Sequence, residues 1–158
     1  MNTAKVTEDI VKSWGVDRMA VMIDAMNNTA KKYPARMFTS FINIDSASDS
    51  ETDFMSDTYD KKLNSGTIPM VTTTKKTNGA ISLFYPEVKE KIAEMFGGSF
   101  YVAFTSMHEA MLHKKGTIEP SDIRRYVRAT NRTFGPEDTL SDEVFLYDSK
   151  NKTFSVAE

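Results

Sequence analysis

Apolar residues recur along this chain in two rhythms, one returning every three to four residues and one alternating, and the two rhythms separate helices from strands. "TEDIVKSWG" reads as a short helix, with Thr7 as its cap, Glu8 and Asp9 at its positive end and Gly15 as its stop. Asp17 caps a second helix that runs to about Lys32, with a stripe of Met19, Met22, Ile23, Met26 and Ala30, and Pro34 stops it. "ARMFTSFINI" fits both rhythms and is read as a strand. Residues 45–66 are polar and rich in Ser, Thr and Asp, which predicts a long loop with room for one helical turn within 54–63. "IPMVTTT" and "AISLFY" are predicted as two strands joined through the Asn78-Gly79 turn. Pro86 opens a third helix whose apolar face is Val88, Ile92, Met95 and Phe96, and Gly97-Gly98 ends it. "SFYVAF" is the clearest strand, and "MHEAML" is expected in extended form, either running back beside it or continuing it after a kink. A helix opening at Pro120 or Ser121 is expected to turn Ile123, Tyr126, Val127 and Thr130 inward, with Arg124, Arg125, Arg128 and Arg132 opposite. "DEVFLYD" and "KTFSV" form a last hairpin around "DSKN". Hairpins outnumber crossovers in this order. The predicted class is α+β, a mainly antiparallel sheet of hairpins with three to four helices packed on it, as a single domain over residues 1–158.

Composition narrows the function classes. The 158 residues are 40% apolar and 27% charged, with a net charge of −2. That balance suits a globular protein with a real core and does not favour non-specific nucleic-acid binding. There is no cysteine, which removes disulfides, thiolate metal sites and cysteine nucleophiles, and suits a reducing cytoplasm. "MNTAKVTEDIVKSWG" lacks the apolar stretch of a signal peptide, and no apolar run reaches the length of a membrane span, so a cytoplasmic protein away from membranes is expected. Ten methionines are many for this length; Met fills gaps in cores or adaptable binding surfaces, and the core is the expected place for them.

Four stretches carry a family likeness. They are "SWGVDRMAVMIDAMNNTAKKYPA", "NGAISLFYPEVKEKIAEMFGGSFYVAF", "TSMHEAM" and "RATNRTFGPEDTLSDEVFLYD". Together they resemble the C-terminal half of a bacterial family known as domain of unknown function 5688, over residues 14–148. Its Pro-Ser-Ser-Xaa-His-Glu-Val signature survives here as Ser106, His108 and Glu109, while Phe104, Thr105 and Ala110 depart from it. The resemblance implies a fold grouping and a setting among bacterial mobile elements, and it brings no activity with it.

The residues with chemical potential fall into four groups. His108 and His113 stand five apart, whereas a zinc-binding helix needs His-Glu-Xaa-Xaa-His; on a strand they would face opposite sides, so no metal site and no cofactor are expected. Ser106 and His108, two apart, would share one face of a strand, and Asp142 could orient the imidazole; Ser106, His108, Glu109 and Asp142 are therefore the candidate hydrolase set, although no Gly-Xaa-Ser-Xaa-Gly elbow accompanies them. Arg124, Arg125, Arg128 and Arg132 form a ridge able to meet phosphates of a nucleic acid. Asp45, Asp49, Glu51, Asp53, Asp57 and Asp60, with no base among them, could meet a basic protein surface. The expected function is non-catalytic macromolecule binding with another protein as partner. Its sharpest form is a mobile-element inhibitor covering the basic surface of a host defence nuclease, such as a CRISPR effector. A hydrolase and a nucleic-acid binder are the alternatives.

Overall fold

A computed structural model of the chain describes residues 5–38, 52–63, 66, 68–133 and 135–158. Six strands form one antiparallel sheet: β1 (Ala35–Phe38), β2 (Met70–Thr73), β3 (Phe100–Ala103), β4 (Ala110–Lys114), β5 (Val144–Asp148) and β6 (Thr153–Val156). Their order across the sheet is β1-β2-β4-β3-β5-β6. The helices are α1 (Glu8–Ser13), α2 (Arg18–Lys32), α3 (Val88–Phe96) and α4 (Pro120–Asn131), with a 3-10 helix at Gly79–Phe84. The class is α+β, as the patterning predicts.

Alternation along the strands gives the sheet two buried faces. Phe100 and Val102 of β3, Ala110 and Leu112 of β4 and Tyr147 of β5 point into the larger core. There they meet Val88, Ile92, Met95 and Phe96 of α3 and Leu83 of the 3-10 helix. Tyr101, Ala103, Met111 and Val144 point the other way and are covered by Ile123 and Val127 of α4. The central strands are therefore sandwiched between helices, which is why β2, β3 and most of β4 read as continuous apolar or buried runs.

Most helix termini follow the sequence signals, but Pro86 stands in the turn before α3, which starts at Val88 behind a left-handed Glu87. Thr7 accepts from Ile10 N–H and Asp17 Oδ2 from Ala20 N–H, each cap contributing about 1 kcal/mol. Gly97 ends α3 in a left-handed conformation, with φ of 74°. Pro120 stands in the first turn of α4.

Five expectations are corrected. "AISLFY" is no strand: it winds into the 3-10 helix, because both edges of β2 are already taken by β1 and β4. The Asn78-Gly79 turn is real, with Asn78 left-handed at φ 53°, but no edge of β2 remains for the following segment to pair with. The α2 stripe is only half used. Met26 and Ala30 pack on the larger core, while Met19, Met22 and Ile23 stay 59%, 52% and 52% exposed. The expectation that the methionines fill the core thus holds for Met37, Met70, Met95 and Met111 and fails for Met19 and Met22. On α4, Tyr126 is exposed instead of inward, and Arg124 is drawn toward β5 by Glu143. The "MHEAML" segment is extended only from Ala110, so His108 lies in the β3–β4 loop. Of the long 45–66 loop, residues 45–51, 64 and 65 lie outside the described residues, as do 39–44 of the predicted "ARMFTSFINI" strand; 52–63 follow an irregular, turn-rich path held by the Met37–Thr52 bridge.

The β3–β4 loop is clamped to the start of the 3-10 helix. Gly79 N–H and Thr72 Oγ1 both donate to His108 O, at 3.1 and 2.7 Å. Ala80 N–H donates to Met107 O at 3.2 Å. Buried Ser82 Oγ donates to Gly79 O at 2.7 Å, with Thr72 O at 3.0 Å. A Cβ on Gly79 would stand 1.9 Å from Thr72 Oγ1, 2.6 Å from His108 O and 2.8 Å from Thr73 N. Two of those atoms are backbone. Gly79→Ala should therefore cost about 3 kcal/mol, read as a lower midpoint in urea, and adding Thr72→Ala should not restore it because the carbonyl remains.

His113, on β4, is 7% exposed and its pKa is lowered by burial. The imidazole is thus carried neutral in the folded chain. Its folded pKa lies below the unfolded value, so its contribution is complete above about pH 6.5 and is lost as pH falls through that value toward the folded pKa. Replacing it with Phe should shrink the drop in melting temperature between pH 7.5 and pH 5.5, measured by circular dichroism.

Candidate functional site

The signature residues Ser106, His108 and Glu109 sit together in the β3–β4 loop, each with defined hydrogen-bond partners. Ser106 is 1% exposed. Its hydroxyl donates to Glu109 Oε1 at 2.9 Å and accepts the His108 N–H at 3.0 Å. Thr105 Oγ1 donates to the same Glu109 oxygen at 3.1 Å. Glu109 is the hub of a loop-closing network, of the kind short hydroxyl side chains form with nearby backbone.

The His108 ring is held by a hydrogen bond at one nitrogen and faces a carboxylate with the other. Nδ1 accepts the Asn78 N–H at 3.0 Å, and Nε2 faces Asp138 Oδ1 at 3.7 Å. The backbone around it is tied down as well, since Met107 N–H donates to Asp138 O at 2.7 Å. An imidazole whose Nδ1 receives a backbone N–H carries its own proton on Nε2. The lone pair that a general base would use is occupied by Asn78, and the Ser106 proton is directed to Glu109. The arrangement contains no Ser106-to-His108 relay.

Asp142, the expected orienting carboxylate, does other work. Its Oδ1 accepts from Asn131 Nδ2 at 2.8 Å, holding the end of α4 to the start of β5. The carboxylate facing His108 is Asp138, which the sequence reading missed. The signal was weak: Asp138 sits in "GPEDTL", an irregular stretch with no periodicity to place it. His108 and His113 diverge as expected, although for a different reason, since only His113 is on a strand. Among the described residues no three His, Asp or Glu side chains gather into a metal-binding group.

The arginine ridge is partly neutralised. Arg124 Nε and Arg128 Nη2 both reach Glu143, at 3.1 and 3.5 Å, and Arg124 also donates to Ala157 O. Arg125 pairs with Asp122 at 3.0 Å. Arg132 joins these three around a shallow groove of about 410 Å³. The acidic group is divided. Asp53 pairs with Arg36 at 3.3 Å, Asp57 and Asp60 are exposed, and Asp45, Asp49 and Glu51 lie outside the described residues.

The least expected surface is apolar. On α1 and α2 and their flanks, Val6, Trp14, Val16, Met19, Met22 and Ile23 are each about half exposed. Glu8 and Arg18 pair at 2.9 Å beside this surface and tie the two helices together. A second apolar cleft, of about 440 Å³, opens between the 3-10 helix and β5, lined by Ile81, Phe84, Phe104, Met107, Leu140 and Phe145.

Among the described residues no helix is long and apolar enough to cross a membrane. The model of a family described as a family of unknown function (DUF5688) matches residues 1–149. No curated protein and no solved structure matches the chain.

The fixed imidazole gives a direct expectation. Long-range proton–nitrogen spectra at pH 8 should show His108 protonated at Nε2. His108→Asn, whose Oδ1 can still accept the Asn78 N–H, should lose less stability than His108→Leu, by about 1 kcal/mol. An Nδ1-protonated ring would contradict this geometry.

Proposed function

The chain belongs to the DUF5688 family, and we propose that this member is a non-catalytic protein-binding module that docks through the apolar face of α1 and α2. The observation that carries this reading is the exposure of Trp14, Met19, Met22 and Ile23 on one helical hairpin. Single exposed apolar side chains are ordinary; a cluster holding a tryptophan and two methionines marks an interaction surface. Trp and Met are enriched where protein surfaces meet. An amphipathic helix laid into an apolar groove is a recurrent docking mode.

The charge around the face describes the partner. Residues 8–24 hold four acids (Glu8, Asp9, Asp17, Asp24) against two bases (Lys12, Arg18). Asp57 and Asp60 add exposed negative charge on the segment whose Met55 and Tyr59 pack against the same core as the end of α2. A partner with an apolar groove and a basic rim complements this surface. A nuclease whose basic channel is covered by the module is one partner of that kind, which keeps the inhibitor reading within the proposal. Nucleic acid as the partner is less favoured, because three of the four ridge arginines already face carboxylates. The hydrolase alternative lacks support in the hydrogen bonding of Ser106 and His108.

The test is a pull-down from a host lysate, with and without nuclease treatment. Wild type should retain a protein in both conditions. The double variant Met22→Asp, Ile23→Asp should lose it while keeping the wild-type melting temperature to within about 0.5 kcal/mol of stability, as exposed substitutions do. Asp57→Asn with Asp60→Asn should weaken retention several-fold at low salt and less at high salt. Capture that survives the double variant, or that vanishes with nuclease, would overturn the reading.

A further inference from the structure

A cavity of about 590 Å³ opens between β4 and α4, on the opposite side of the sheet from the larger core. Its floor is Met111, His113 and Ile123, all at least nine-tenths buried. Ile118 and Ala129 line its walls, and Ile68 and Tyr126, 39% and 56% exposed, stand at its mouth. The volume falls within the range of small-molecule sites.

The floor holds a polar group without an adequate partner. His113 lies on β4 opposite Tyr101, on the same side as Met111. Its Nε2 stands 3.1 Å from Met111 Sδ, and that thioether is its hydrogen-bonding partner among the described residues. A thioether is a weak acceptor. An apolar side chain would pack at this position without the desolvation cost of an imidazole. Buried polar groups are otherwise hydrogen-bonded, so an exception facing a cavity calls for an occupant.

The charges around the cavity limit that occupant. Burial keeps His113 neutral. At the rim, Arg125 and Asp122 pair with each other at 3.0 Å and leave no net charge to offer. The walls are aliphatic apart from one tyrosine.

We propose that the cavity between β4 and α4 binds a small, uncharged, flat apolar molecule whose single hydrogen-bond acceptor receives the His113 N–H. The body of the ligand lies between Ile118, Ile123 and Tyr126, and its acceptor replaces Met111 Sδ at Nε2. This site is independent of the apolar face of α1 and α2.

Quinoline and naphthalene make a matched pair of probes, alike in shape and differing in one ring nitrogen. Each is titrated into the full chain at pH 7.5, with isoleucine methyl and histidine ring signals followed by NMR. Quinoline should shift the Ile118 and Ile123 methyls and the His113 ring in a saturable way. It should bind about tenfold more tightly than naphthalene, the contribution of one buried hydrogen bond. His113→Phe should remove that difference while naphthalene still binds. Ala129→Trp, at an exposed helix position, should fill the cavity and exclude both, with methyl dispersion confirming that the variant is folded. The proposal fails if neither probe moves the Ile118 and Ile123 methyls, if both bind equally to wild type, or if quinoline binds His113→Phe as tightly as wild type.

Discussion

The missing side chain at Gly79 is the constraint on which the rest of the molecule depends. The backbone carbonyl of His108 comes within hydrogen-bond reach of Gly79 and Thr72 only because nothing occupies the Cβ position. That contact joins three parts of the chain: β2, the start of the 3-10 helix, and the loop between β3 and β4. Without it β4 would lose the anchor that sets its register against β2, where only Met70–Met111 and Val71–Ala110 pair. A short ladder of two pairs is weak by itself. The clamp beside it extends the association by hydrogen bonds that are not part of the sheet.

The Ser-Xaa-His-Glu stretch acquires its meaning from this clamp. Its hydrogen bonds close within the loop or across it: Ser106 and Thr105 to Glu109, Asn78 N–H to His108 Nδ1, and Thr72 and Gly79 to the His108 carbonyl. These residue types look like chemistry when read in a line. In three dimensions they satisfy the polar groups of a loop packed into a largely apolar body.

Much of the architecture was legible in the sequence because it follows from local rules. The caps at Thr7 and Asp17, the Gly97 stop, the Pro120 start and the alternation of β3 all act within a few residues. The errors came where a distant partner overrides local preference. "AISLFY" has the composition of a strand and lost that form because β1 and β4 occupy the β2 edges. The Met19, Met22 and Ile23 stripe has core periodicity, yet α2 reaches the body of the protein only with its last turns. Periodicity marks which residues share a face and is silent on what that face meets. Asp138 was invisible for the same reason, since its place opposite His108 is set by an irregular stretch with no rhythm of its own. The sequence groups Ser106, His108 and Glu109, which do lie in one loop, but it misplaces Asp142 and assumes at Ser106 a strand that begins only at Ala110.

The position of Trp14 has a practical consequence. It is the only tryptophan of the chain, and it stands half exposed on α1, away from both cores. Its indole is wet before any denaturant is added. The native emission spectrum will already sit near the red end, and melting of the sheet will change it little. Optical studies of this fold will have to watch the buried tyrosines Tyr85 and Tyr147 instead, and the lone indole is left as a clean reporter for whatever comes to rest against the helical hairpin.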